Sequence, residues 1–354
     1  MKKLVALLLC VTLAAGALTA CGGKKTEDTK TDTAKTEDTK TEDTSAGAAK
    51  TGLSVTTSIA KSTPAGEEDG LAQVDSTIVA VLVDGDGKIL DCKIDAAQTK
   101  MNFSAEGKLL TDKATTFESK QELGTDYGMG KASSIGKEWN EQANAFAEYV
   151  VGKTVDEVKG IAVNEEGLAT DEDLTASVTI HIGDFISAVE KAVANAKDLG
   201  AASTDKLGLG VTTEMSKSTD ATAEEEGLAQ AYSMYSVVTT DGDGKITSCY
   251  VDASQGEVNF DTKGVITSDL TAAVATKQEL GDDYGMKKAS SIGKEWFEQA
   301  DAFSGYVTGK TASEVSGIAV NEEGLASDAD LISSVTVHVS PFITVVEKAA
   351  TNAK

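Results

Sequence analysis

The chain contains two histidines, and each follows a threonine by two positions: His181 after Thr179, and His338 after Thr336. Both pairs lie in one recurring stretch, Asp-Leu-x-x-Ser-Val-Thr-x-His-x-x-x-Phe, which runs from Asp173 to Phe185 and again from Asp330 to Phe342. A hydroxyl beside an imidazole invites comparison with a nucleophile and its base. Hydrolysis by that route also needs an orienting acid and a nucleophile turn, and neither occurs here at motif spacing. One histidine per copy, with no second His or Cys beside it, is too few for a zinc site. The pair therefore reads in one of two ways: as a hydroxyl that carries or binds a group, or as two side chains that hydrogen-bond inside a structural junction.

The elements that must hold these residues follow from periodicity. Val178, Ile180 and Ile182 alternate with Thr179 and His181, a period-2 pattern that predicts a strand with the hydroxyl and imidazole on one face. Val335, Val337 and Val339 repeat the pattern around Thr336 and His338. An amphipathic helix should follow, with Phe185, Ile186, Val189 and Val193 on its apolar face, matched by Phe342, Val345, Val346 and Ala349. Asp184 and Ser340 are the expected N-caps, and Pro341 suits a first helical turn.

The motif closes a long duplication. From Asp84-Gly-Asp-Gly-Lys-Ile onward, a second copy lies 157 positions after the first without a gap: Asp84 and Asp241, Trp139 and Trp296, Thr179 and Thr336. Repeats of this length, each with its own core pattern, predict an α+β architecture of two tandem homologous domains, each an antiparallel sheet with packed helices. The expected boundaries are 52–197 for repeat 1, 198–207 for a short polar linker and 208–354 for repeat 2. Within each, Ile78–Val83 and Lys88–Ile94 flank Asp-Gly-Asp-Gly as a β-hairpin. That loop lacks the third acidic ligand and terminal glutamate of an EF-hand. The block Asp95-Ala-Ala-Gln98-x-x-x-Asn102, repeated from Asp252, could line a site or cap a sheet edge. Ser133 or Ser134 should cap a helix with Trp139, Ala143, Phe146 and Val150 as its core stripe. Before it, Gly124, Tyr127 and Gly128 form an irregular aromatic loop of the kind that closes over a planar ligand, with Tyr284 as its equivalent. Thr154 with Glu157 and Thr311 with Glu314 read as capping boxes rather than as parts of a phosphate loop.

Composition bounds the setting. A net charge of −25 excludes nucleic acid as a partner, because a phosphate backbone needs a basic surface. Residues 1–20 read as an export signal, with Lys2 and Lys3 followed by the apolar run Leu4 to Leu13, too short to span a bilayer. The segment 21–51, built largely of Lys, Thr, Glu, Asp and Ala, cannot bury enough surface to offset its ordering entropy and is expected to be a disordered tether reaching roughly 30 Å. Cys92 and Cys249 occupy equivalent places in strand-like segments and should face their own cores as reduced thiols.

Two resemblances follow from these residues. Leu18-Thr-Ala-Cys21, placed after a basic and apolar run, resembles the lipobox of bacterial lipoproteins. It implies a mature chain anchored through lipid at Cys21 to the outer face of a membrane. The terminal motif resembles the flavin-attachment segment of the FMN-binding domain family, which runs Asp, two residues, Ser-Gly-Ala-Thr, then polar residues and a helix. Ala176-Ser177-Val178-Thr179 and Ser333-Ser334-Val335-Thr336 stand in the place of Ser-Gly-Ala-Thr. In that family a transferase links FMN through its phosphate to the threonine, so the resemblance implies Thr179 and Thr336 as attachment points. It also implies Asp173 and Asp330 as motif acids, His181 and His338 nearby, and Tyr127 and Tyr284 as residues that cover the ring. The tandem arrangement behind a lipobox resembles the flavin-bearing lipoproteins of Gram-positive extracellular electron transfer. The implied partners are a flavin transferase, a membrane redox donor and an external electron acceptor, for a carrier rather than a catalyst. The alternative is a binding or structural surface lipoprotein of the same fold without flavin. Replacing Cys21 by Ala should move the protein from the membrane fraction to the medium, as read by fractionation and immunoblotting.

Overall fold

Long antiparallel strands that are apolar on both sides shape the molecule. In the run Ile78–Val83, Val79, Val81 and Val83 face helices of their own repeat, whereas Ile78, Ala80 and Leu82 face the other repeat. A strand buried on both faces must be covered twice. Here one cover is a helical layer and the other is the second sheet, so the layers run helices, sheet, sheet, helices.

The computed structural model describes residues 47–354, which belong to one compact unit. The signal segment, Cys21 and most of the tether lie outside the described residues. Repeat 1 comprises β1 (Lys50–Ser58), β2 (Gly70–Val83), β3 (Ile89–Phe103), β4 (Thr116–Phe117), α1 (Lys120–Leu123), α2 (Trp139–Val150), α3 (Val155–Lys159), α4 (Glu172–Thr175) and α5 (Gly183–Ala194). Repeat 2 comprises β5 (Lys206–Glu214), β6 (Gly227–Thr240), β7 (Ile246–Phe260), α6 (Lys277–Leu280), α7 (Trp296–Val307), α8 (Ala312–Ser316), α9 (Ala329–Ile332) and α10 (Ser340–Asn352). The sheet orders are β1-β2-β3 and β4-β5-β6-β7, antiparallel throughout. The α+β class with two similar halves is therefore the observed one.

The expected hairpin is present and longer than its sequence core. Asp84 Oδ1 accepts from the backbone N–H groups of Asp86 (2.9 Å) and Lys88 (2.8 Å), and Gly87 takes a φ of 81°, which only glycine adopts cheaply. Strand β3 continues to Phe103, so Asp95, Gln98 and Asn102 lie within a strand rather than after one. Residues 198–205 are bonded rather than free. Ala49 N donates to the Ala201 carbonyl and Ser203 N to the Gly47 carbonyl, so the end of the tether segment is ordered against them.

The two repeats meet about a pseudo-two-fold relation in which residue i touches j and i+157 touches j's counterpart, as in an isologous dimer interface. Phe103 stacks on its own equivalent, Phe260, with ring centroids 4.3 Å apart and planes 8° apart. Gly70 lies under the Phe103 ring, where a Cβ would come within 2.3 Å, and Gly227 does the same under Phe260. Lys191 pairs with Glu279 at 2.6 Å, and Lys348 with Glu122 at 2.5 Å. The repeats also exchange edge strands: β4 of repeat 1 pairs with β5 of repeat 2, and Val274 of repeat 2 bridges Thr57 of repeat 1.

Cys92 and Cys249 are free and buried in the separate helix-facing cores, where burial pushes both thiols up, Cys249 to about 12. The capping boxes at Thr154 and Thr311 are formed. Phe103→Ala should cost about 3–5 kcal/mol, the range for emptying a fully buried phenylalanine site. Because both repeats share that ring, calorimetry should show one transition displaced as a whole; two transitions, with only the first displaced, would mean independent folding units.

Candidate functional site

The terminal motif is not a strand. After α4 the chain turns back, with Val178 N donating to the Leu174 carbonyl at 2.8 Å, and residues 178–182 run irregularly with one bridge, Leu168 to His181. A side chain accounts for the missing ladder. The backbone N–H of Thr179, which a strand partner would have taken, donates to Gln142 Oε1 at 2.8 Å. Burial follows the expected alternation only in part: Val178 and Ile182 are buried, Ile180 and Thr179 half-buried, and His181 exposed. Repeat 2 matches it through Val335, Val339, Val337, Thr336 and His338. The following helices begin earlier than expected, by two residues in repeat 1 and by one in repeat 2. The Ile182 and Val339 carbonyls accept from Ile186 N and Ile343 N, so Asp184 and Ser340 lie inside the first turns rather than at N-caps.

The glutamines hold the centre of each site and were not singled out by their sequence. Gln142 is fully buried on α2; its Oε1 also accepts from Thr179 Oγ1 at 3.2 Å, and its Nε2 donates to Ser133 Oγ (3.1 Å) and the Lys137 carbonyl (3.0 Å). Gln299 accepts from Thr336 N (2.8 Å), Thr336 Oγ1 (3.3 Å) and Val337 N (3.2 Å), and donates to Ser290 Oγ and the Lys294 carbonyl. Ser133 thus bonds a glutamine rather than capping α2. The caps are Glu138 and Glu295, each in a capping box with the glutamate three residues on. Glu295 Oε2 and Oε1 also take the N–H groups of Met286 and Lys287 at 2.8 Å each, tying the aromatic loop to the helix. The only sequence signal for the glutamines was their place in the unbroken Glu-Gln-Ala shared by both repeats.

In repeat 2 this frame borders a cleft of about 700 Å³, within the range of small-molecule sites. Its walls include Tyr232, Lys277, Tyr284, Met286, Trp296 and His338. The Tyr284 hydroxyl donates to Gln255 Oε1 at 3.2 Å, which fixes its ring at the cleft. The wall on the motif side starts at Val337, one residue past Thr336, whose hydroxyl is turned to Gln299. Asp173 and Asp330 lie elsewhere. Both are exposed in the first turns of the short helices α4 and α9, and Asp330 is not part of the cleft wall. Val178 and Val335, each just before its threonine, are buried in the helix-facing cores.

Repeat 1 keeps the frame and changes the wall. Tyr127 is half-buried with Lys120 Nζ 4.6 Å from its ring centroid. Asp75 and Thr77 stand where repeat 2 has Tyr232 and Met234. Asp75 pairs with Lys61 at 2.9 Å and accepts from Gln73 Nε2 at both oxygens, so this wall is polar and internally neutralised.

Comparison with known proteins gives a narrow result. No family model matches the chain, and no solved structure does. In an alignment over 94 residues, covering 23% of this chain and 29% of the other protein, the chain is 35% identical to a chlorophenol reductase of Desulfitobacterium hafniense. The chain thus spans under a third of the length of that relative.

Two buried carboxyls pin the frame. Asp95 accepts from Ala96 N (2.7 Å) and Gln121 N (3.1 Å), and Asp252 from Ala253 N and Gln278 N at the same distances. These donors favour the ionised form, but desolvation outweighs them and raises Asp95 to about 6 and Asp252 to about 7. With folded values above the unfolded one, their contribution to stability is fully present below about pH 4 and is lost as pH rises through about 6 to 7. Urea denaturation at a series of pH values should show this loss, and Asp95→Asn with Asp252→Asn should flatten that part of the curve.

Proposed function

We propose that the protein is an FMN-bearing electron carrier, anchored by lipid at Cys21 to the outer face of a bacterial membrane. The observation that carries this reading is the aromatic cleft of repeat 2, next in sequence and space to the motif threonine. Tyr232 and Tyr284 are suited to pack against a planar ring, and His338 and Ser340 line the cleft just past Thr336 in the chain. When bound, the isoalloxazine supplies the redox chemistry, and the protein supplies position and electrostatics.

The hydrogen bonds of the frame tolerate that attachment. Esterifying Thr336 removes the hydroxyl donor, yet Gln299 Oε1 retains the N–H groups of Thr336 and Val337, so no buried acceptor is orphaned. Gln142 retains the Thr179 N–H alone, which makes Thr179 the less protected of the two positions. The shared stretch with a chlorophenol reductase accords with a redox role.

A flavin transferase, a membrane donor and an external acceptor are the partners this reading needs. Coexpression with a flavin transferase, followed by intact mass and visible absorbance, tests it. The expected result is an added mass of FMN that Thr336→Ala removes, with any second equivalent removed by Thr179→Ala. A colourless product without added mass, which also binds no FMN in solution, would instead make the protein a binding or structural module whose threonines only anchor to the glutamines.

A further inference from the structure

The buried cation of the repeat 2 cleft forms no ion pair among the described residues. Lys277 follows the cap of α6, and its side chain is buried to 6% exposure. Its Nζ lies over three rings, 4.5 Å from the centroid of Tyr284, 4.6 Å from Tyr232 and 5.2 Å from Trp296. Within the protein it makes one hydrogen bond, to Tyr232 Oη at 3.3 Å. Among the described residues no carboxylate lies within ion-pair distance of it; the buried Asp252 is near enough to favour its charge, and the cleft wall carries Glu214, Glu322 and Glu323 together with a second lysine, Lys217.

An ammonium group has three donors and loses much of its hydration in such a place. Ring faces offset part of that loss, but they accept poorly and leave donors open toward the cleft. Burial accordingly lowers its pKa to about 8. A group held this way attracts the carbonyl-rich or anionic edge of a ligand that enters among the same rings. Repeat 1 is built differently. Lys120 retains Tyr127 and Trp139 at 4.6 and 5.2 Å, but the third ring is replaced by Asp75, whose carboxylate is taken up by Lys61 and Gln73 and offers no aromatic face to a planar ligand.

We infer that Lys277 is the specificity residue of the repeat 2 cleft, reading the polar edge of a planar ring ligand and making repeat 2 the high-affinity site of the molecule. This rests on the flavin reading. The rings that cage Nζ are the surfaces a planar ligand would occupy, whereas the phosphate end belongs to the His338 and Ser340 side. Lys277 should therefore act on the ring and not on the phosphate.

The test uses the full chain purified without the transferase and titrated with FMN and with riboflavin, followed by tryptophan and flavin fluorescence. Wild type should bind about one equivalent tightly. Lys277→Met should weaken both ligands about tenfold and move the midpoint potential of the bound flavin to more negative values, because a cation stabilises the more electron-rich form. Lys277→Arg, which keeps the charge, should stay within about threefold of wild type, with equal melting temperatures as the control for folding. Unchanged affinity and potential in Lys277→Met would overturn the inference while leaving the flavin reading intact, and so would a loss confined to FMN, which would assign Lys277 to the phosphate. Failure of wild type to bind either flavin would overturn this inference, and the flavin reading falls with it only if coexpression with the transferase also adds no mass.

Discussion

Everything in this molecule depends on the burial of the inner sheet faces against each other. β2 and β6 carry apolar side chains on both sides, and only one side can be covered by the helices of the same repeat. The other side would face water in an isolated repeat, at roughly 25 cal/mol for each square ångström of apolar surface left uncovered. The second repeat removes that exposure, and it does so symmetrically, with Phe103 on Phe260 and glycines where the rings press closest. Duplication has thus produced an internal dimer rather than two beads on a string.

The pairing has a consequence for the sites. Exchange of β4 into the sheet of the other repeat, together with the reciprocal ion pairs at Lys191 and Lys348, sets the start of α1 and α6 against the partner repeat. Those helices begin with Lys120 and Lys277, the cations that sit over the aromatic loops. Interface and cleft are therefore parts of one rigid construction, and the frame around each threonine is held by groups that are themselves buried. The glutamine on α2 or α7 has all its polar atoms engaged, which makes the irregular segment around the threonine as determined as a strand would have been.

The repeats share a frame and differ at its walls. Asp75 with Lys61 neutralises the wall in repeat 1, while Tyr232 and Met234 line it in repeat 2. Charge compensation in the first and aromatic surface in the second give equivalent walls different chemistry.

Local chemistry was legible without coordinates. The Asp-Gly hairpin, the core stripe of α2, the capping boxes at Thr154 and Thr311 and the buried thiols all depend on neighbours within a few positions, where periodicity and turn preference act directly, and the duplication is legible as repeated sequence. Around Thr179 and Thr336 the alternation of apolar residues predicts a strand, but the donor that a ladder needs is taken by a glutamine 37 positions upstream. Ser133 does not cap α2, because its hydroxyl is held by that same glutamine and Glu138 takes the cap. Only the tertiary structure decided how the halves meet, since both-sided burial states that a strand is covered and not by what. It also decided which residues face the cleft: Lys277 and Tyr232 come from segments 45 positions apart, and their contact is a product of packing that no local pattern encodes.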